Sequence, residues 1–318
     1  MQNRLQVSDF GQKIDPEAPP PCLWITGISG FLGWHLAQVA APNWRIYGTY
    51  HRQPLHWPGG TTACLDLLDF DAVAATLEEQ RPAAVIHTAA MSKPNACQQN
   101  PEASHAINVT ATEHLGRCCA AAGVPLVFTS SNLVFDGQSP PYRETDATAP
   151  LNIYGAQKAE AEQRLLTVYP QAVVCRLPLM FGPATPTANS FLQDFLSKLQ
   201  SGQPLNLFTN EYRMPADARV IATGLLLAIQ SPGLGCLHLA GADRLSRYEM
   251  GQLLVAIWDI ATAHIHPCRQ IDVPMPAPRP PDLSMDTTKA QRLGYRPMPM
   301  DVSLERIRHS ERKMANSE

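Results

Sequence analysis

The sequence has no uninterrupted apolar run of the roughly 18 residues that a spanning helix needs, so no membrane-crossing segment is expected. It also lacks a strong charge of either sign. The 25 basic and 28 acidic residues give a formal charge of −3, and the basic side chains are scattered apart from a small group near the C-terminus. Such a balance gives no electrostatic pull toward nucleic acid or an anionic membrane. The first residues lack the basic stretch and apolar core of a secretory signal. The eight cysteines, with Cys118 and Cys119 adjacent, show neither metal-site spacing nor the density of a disulfide scaffold. Free, buried thiols in a reducing, cytoplasmic setting are expected. Internal repeats are missing as well.

Proline is what the chain has in excess, 29 in 318 residues, clustered at 16–21 and 267–281. The first cluster closes a stretch without apolar periodicity, Met1 to Pro21, expected as a flexible leader. The second is expected as an irregular segment crossing the surface.

From Cys22 onward, short apolar runs alternate with helical patterns: strands at Cys22–Thr26, Arg45–Tyr50, Thr62–Asp66, Ala84–Thr88, Pro125–Thr129 and Ala172–Leu177. That alternation predicts an α/β fold with a doubly wound parallel sheet, and right-handed crossovers follow from it. The expected organisation is a dinucleotide-binding region over 22–180 and a smaller substrate-binding α/β cap over 181–318, with the chain able to cross back. Pro101 to Gly123 reads as one long helix. A strand at 236–240 is assigned to the cap.

The first strand runs into Gly27-Ile-Ser29-Gly30-Phe31-Leu32-Gly33, and a helix follows. Glycines there let the backbone turn tightly and approach a pyrophosphate, which rests on the helix N-terminus. The second strand ends in His51-Arg52 rather than in an acid. An acid would hold the ribose hydroxyls of NAD, whereas Arg52 suits the 2′-phosphate of NADP. Asp66 and Leu67 are placed at the adenine edge, and the small Ala89 and Ala90 leave room for the cofactor. Tyr154 and Lys158, four apart, share one helix face. The preceding strand delivers Ser130 and Ser131 to the edge where open parallel sheets bind ligands. Asn108 is a poor interior helix residue, which suggests work for its side chain. In a strand, His264, His266 and Cys268 would face one side as metal ligands do, but no acid or fourth ligand stands near, and no metal is expected.

Taken together, Thr26–Gly33, His87-Thr-Ala-Ala90, Ser130-Ser-Asn-Leu-Val-Phe-Asp-Gly137, Thr145–Gly155, Lys158 and Arg279-Pro-Pro-Asp-Leu-Ser-Met-Asp286 resemble the extended short-chain dehydrogenase/reductase superfamily, and within it the dTDP-4-dehydrorhamnose reductases. The resemblance covers nearly the whole chain from Cys22. It implies an NADP(H)-dependent reductase of a keto-sugar nucleotide, with NAD the lesser cofactor. Tyr154 would protonate the carbonyl oxygen. Lys158 would hold the nicotinamide ribose and lower the phenol's pKa, a shift of ~3 units or ~4 kcal/mol if it is to reach neutrality. Ser131 would hydrogen-bond the substrate oxygen, Asn108 would order the lysine, and Leu177 would flank the nicotinamide. Met91, Asn132, Phe181, Arg213 and Arg279 fall on the sugar-nucleotide side, and a homodimer is the candidate assembly. Asn132-Leu133 departs from the Asp-Tyr usual in these reductases, which bears on the sugar rather than on the cofactor. The same motifs, with Gln99-Asn-Pro101, Pro140–Glu144 and Arg247–Met250, are similar to the regulatory beta subunit of methionine adenosyltransferase, an NADP-binding partner protein. A sugar-nucleotide epimerase or dehydratase, which recycles tightly held NAD, is the third alternative, against which Arg52 speaks.

Overall fold

The computed structural model describes residues 19–260 and 264–315. The expected leader lies, up to residue 18, outside the described residues. Six strands, β1 (Cys22–Thr26), β2 (Arg45–Tyr50), β3 (Gly60–Cys64), β4 (Ala84–His87), β5 (Leu126–Ser131) and β6 (Val173–Leu177), are joined by a seventh at Gly235–His238. Their spatial order is Gly235–His238, β6, β5, β4, β1, β2, β3, and every pairing is parallel. The order reverses between β1 and β4, which opens a crevice at the strands' C-terminal ends.

Both faces of the sheet are covered, so its central strands are apolar throughout rather than alternating. On β1, Leu23 and Ile25 join a core with Leu36 of α1 (Phe31–Ala40) and with Ile221 and Leu225 of α8 (Ala218–Ile229). Trp24 points to the other face and joins Leu77 of α2 (Phe70–Gln80), Leu115 and Cys119 of α5 (Ala111–Ala122) and Leu165 of α6 (Ile153–Val168). Helix starts follow their capping residues. Asp69 accepts from the Ala72 N–H at 3.0 Å, and Asn152 accepts from the Gly155 N–H at 2.9 Å.

Two expectations need correction. The strand near residue 236 does not belong to a cap: it extends the main sheet beside β6, and α8, just before it, packs against α1. The helix after Pro101 is not uniform. It runs as α4 (Pro101–His105), a π-helical turn at Ala106–Thr110, and then α5, with a short α3 (Pro94–Gln99) ahead of it.

Beyond the sheet, a smaller lobe has its own core. Leu192 and Leu196 of α7 (Phe191–Gln200), Met250 and Leu254 of α9 (Arg247–Trp258), and Leu304 and Ile307 of the C-terminal helix pack around Phe181, Leu205 and Leu207. The proline-rich segment ties this lobe to the sheet's rim. Asn152 donates to the Pro278 carbonyl at 3.0 Å, and Ala277 N–H donates to Asn95 at 3.3 Å. Among the described residues no helix is long and apolar enough to cross a membrane.

Candidate active site

A cleft of about 800 Å³ follows the crevice along the strand ends. Its glycine wall is built as the sequence requires. Gly27 has φ +72°, and a Cβ there would meet Ala89 Cα at 2.8 Å. A Cβ on Gly33 would lie 2.3 Å from the Gly27 carbonyl oxygen, so α1 can start this close to β1 only with glycine. Gly30 caps α1 without a side-chain acceptor, so the first amides of the helix face the cleft unscreened by a cap.

The expected cofactor residues Gly27, Ser29, Gly30, Phe31, Leu32, Gly33, Arg52, Asp66, Leu67, Ala89, Ala90, Ser130, Tyr154, Lys158 and Leu177 all line this one cleft, with Ser131 and Met91. Arg52 is exposed at the end of β2, and its neighbour His51 lies 3.7 Å from Asp66. Thr49, Thr88 and Ile107 line the cleft without having been singled out. Thr49 and Thr88 follow from the strand-end rule; Ile107 does not, because the π-helical turn presents it.

Tyr154 sits on the first turn of α6 and Lys158 one turn on, the phenol only 7% exposed and the ammonium 1%. The Lys158 Nζ donates to the Thr129 carbonyl at 2.8 Å and lies 4.4 Å from the Phe128 ring centroid and 5.9 Å from that of Tyr154. The expected lowering of the phenol's pKa is not what the surroundings impose. Burial pushes Tyr154 well above the ordinary phenol range and the Cys97 thiol adds to this, while a hydrogen bond with Ser131 opposes it. Burial also brings Lys158 down to about 7, against the pull of Glu162 and Cys97.

Asn108 is 1% exposed, and its side-chain hydrogen bonds go to Met91, Cys97 and Gln157. With Met91 held and Gln157 reached at 3.0 Å, it orders the loop after β4 rather than the lysine. The Ser130 hydroxyl donates to Glu162.

The expected substrate residues separate. Asn132 is buried and its amide reaches the Leu283 carbonyl at 3.5 Å, away from the cleft. Phe181 is fully buried in the small lobe's core, 6.3 Å from Phe191, and is a packing residue. Arg213 does not line the cleft. It is 5% exposed, donates to the Tyr212 carbonyl at 2.6 Å and pairs with Glu211 at 3.3 Å. It belongs to a group of three guanidiniums, with Arg247 and Arg279, whose charges act on one another and are opposed by Glu211 and, at Arg213, by Asp282. Burial brings Arg247 down to about 10, and the buried Nε of Arg279 has no hydrogen-bond partner. Arg247 was not assigned to a site from sequence, although its position at the start of α9 next to the Ser246 cap was readable. The strand Ile265–Cys268 pairs with Leu205–Phe208, and among the described residues no group of three metal-ligating side chains forms.

A glycine turn, an open helix N-terminus and a tyrosine–lysine turn along one crevice define a Rossmann-type dinucleotide scaffold of the short-chain dehydrogenase/reductase class. The chain belongs to the RmlD substrate binding domain family, which matches residues 22–310. It is 32% identical over 289 residues to methionine adenosyltransferase 2 subunit beta of Xenopus laevis, covering 88% of this chain and 84% of that one. It is 27% identical to the probable low-salt glycan biosynthesis reductase Agl14 of Haloferax volcanii, covering 84% and 90%. Among solved structures, dTDP-4-dehydrorhamnose reductase from Bacillus anthracis in complex with NADP superposes with a TM-score of 0.82 at 21% identity, over 92% of this chain and 100% of that one.

Proposed function

We propose that the protein is an NADP(H)-dependent reductase of a keto-sugar nucleotide. The observation that carries this reading is the convergence of Ser131, Tyr154 and Lys158 with the glycine turn on a single cleft. The residues fit a dinucleotide. The uncapped N-terminus of α1 suits a pyrophosphate, and Arg52 suits a 2′-phosphate. NADPH, when bound, supplies the hydride that reduces the carbonyl carbon.

The chain's own residues handle the oxygen. A phenol kept protonated by burial is in the right state to give a proton to the forming alkoxide, and the Ser131 hydroxyl can hydrogen-bond the same oxygen. Lys158, held by the Thr129 carbonyl, has donors left for ribose hydroxyls. The Arg213–Arg247–Arg279 group, three guanidiniums opposed by Glu211 and Asp282 and with a partnerless Nε on Arg279, suits the diphosphate of a sugar nucleotide. The region over 22–180 would then serve the dinucleotide and the small lobe the sugar nucleotide.

A second reading has its own support. The similarity to methionine adenosyltransferase 2 subunit beta favours a regulatory partner that binds the dinucleotide without turnover, and Leu133 stands where the reductases carry a tyrosine. NADPH oxidation with dTDP-4-keto-6-deoxy sugars separates the two. The reductase reading expects turnover that Tyr154→Phe lowers by about 10²- to 10⁴-fold, with dinucleotide affinity retained. Absence of turnover, with a methionine adenosyltransferase bound by the purified protein, would give the second reading.

A further inference from the structure

Helix α6 stacks three ionisable side chains at intervals of four residues, Tyr154, Lys158 and Glu162, and all three are buried. Glu162 has no part in the chemistry above. Its carboxylate accepts a hydrogen bond from Ser130 and is gripped by Arg176 of β6. The Arg176 Nε lies 3.1 and 3.2 Å from the two carboxylate oxygens, and Nη2 lies 2.7 Å from one of them. Arg176 is fixed in turn. Its Nη1 donates to the Glu144 carbonyl at 3.5 Å and lies 3.4 Å from the His238 Nε2, and the guanidinium is 5.0 Å from the Phe135 ring centroid. Taking two charges out of water is costly, and a hydrophobic pair of the same volume often does as well for stability. The location of this pair is therefore informative. It holds the residue next to Ser131, and it lies one helical turn from Lys158.

The groups facing Lys158 are few. Tyr154 and Glu162 come from its own helix, Cys97 from α3, His87 from β4, and Phe128 with the Thr129 carbonyl from β5. Burial raises the Cys97 thiol and lowers His87 to about 3, so both are neutral near pH 7. That leaves Glu162 as the anion of this set.

We propose that Glu162 is a positioning residue for the Tyr154–Lys158 pair: gripped by Arg176, its carboxylate fixes Ser130, and with it the end of β5 that presents Ser131, and supplies the counter-charge that keeps Lys158 an ammonium. The proposal rests on the reading of Tyr154 and Lys158 as the reducing pair. Its core, the charge state of Lys158, is measurable without cofactor or substrate.

The chain has six lysines, few enough for their ¹³Cε signals to be followed by NMR in protein labelled at lysine, with Lys158→Met assigning the signal of interest. An opposite charge within about 4–6 Å moves a pKa by roughly 1–3 units. Glu162→Gln is expected to lower the Lys158 midpoint by about one pH unit or more. Since that change strands the Arg176 guanidinium, whose charge opposes that of the carboxylate, the comparison is repeated between Arg176→Met and the double variant Glu162→Gln/Arg176→Met, which differ only at the carboxylate. Equal Lys158 midpoints in Arg176→Met and in the double variant overturn the proposal. In the same variants the alkaline limb of NADPH affinity is expected to move to lower pH by the same interval. A carboxylate with a purely structural role would lower the melting temperature and leave that limb in place. Failure of the unmodified protein to bind NADPH would remove the reductase reading, while the NMR titration would still decide the role of Glu162.

Discussion

Asn108 holds Met91 by both of its main-chain groups: Oδ1 accepts from the Met91 N–H at 2.9 Å and Nδ2 donates to the Met91 carbonyl at 3.1 Å. The same Nδ2 reaches Gln157 on α6 at 3.0 Å, so one amide links the loop after β4 to the helix that bears Tyr154 and Lys158. The π-helical turn at Ala106–Thr110 sets Asn108 in this inward position.

Replacing Asn108 by Ala takes the partner from the Met91 N–H and from the Gln157 Oε1, while the Met91 carbonyl keeps the Cys97 thiol and the Gln157 Nε2 keeps Pro101 and Ser104. The expected loss is about 2–4 kcal/mol in urea unfolding, at about 1–3 kcal/mol for each stranded group. Because Met91 lines the cleft, KM for the carbonyl substrate is expected to rise more than kcat falls, which steady-state kinetics would separate.

Arg52 stands at the end of β2, where an acid would favour NAD. Arg52→Ala is expected to weaken NADP+ by about 10- to 100-fold, the worth of a hydrogen bond to a charged group, and to leave NAD+ almost unchanged. Calorimetric titration of both dinucleotides checks this. Equal losses for the two would remove Arg52 from the 2′-phosphate site.

Lys158 is among the largest side chains the fold buries outright, and its folded value lies near 7, well below the ordinary lysine range. Between pH 7 and about 10 the unfolded chain therefore binds more protons than the folded one, and stability rises with pH across that window. Lys158→Met is expected to be more stable than the parent at pH 6.5, by an amount on the order of a few kcal/mol, and to lose the rise above pH 7. Urea unfolding at several pH values reads both effects. Dinucleotide affinity is expected to fall in the same variant, so that stability and binding move in opposite directions.

His87 is held between Thr26, 2.6 Å from its Nδ1, and Thr112, 3.1 Å from its Nε2, and burial lowers it to about 3. His238, buried beside Arg176, is lowered to about 3 as well. In the unfolded chain both titrate near 6.5, so the unfolded state takes up protons first as the pH falls. The stability contributed by the two histidines is full above about pH 6.5 and declines from there toward pH 3, by up to about 1.4 kcal/mol per pH unit for each histidine. His87→Gln is expected to flatten that acid limb by about one histidine's share in urea unfolding between pH 6 and 4.

The nucleotide half of the molecule was readable because its signals are local. A strand running into Gly27–Gly33, a helix cap at Asn152 and an i, i+4 pair at Tyr154 and Lys158 depend on a few neighbouring residues each. What escaped the sequence depends on distant partners. Gly235–His238 looks like any short apolar strand until β6 is seen to offer it an edge. Phe181 is one residue from Met180, which lines the cleft, yet it turns into the small lobe's core because the strand alternates. The electrostatics of Tyr154 and Lys158 depend on how dry the site is, and burial is set by the whole fold. Glu162 was within reach of the four-residue rule that found Lys158, but its partner Arg176 comes from the next strand, and sequence spacing does not disclose that pairing.

The placement of Gly235–His238 bears on how the chain can be divided. A fragment ending near residue 180 would contain the glycine turn, Tyr154 and Lys158, yet β6 would become an open edge with unmet hydrogen-bonding groups and α1 would lose the apolar cover of α8. Recombinant production of the nucleotide half alone should therefore give sticky, strand-exchanging material. A workable truncation must carry the chain past His238, and the two lobes are inseparable at the level of the gene.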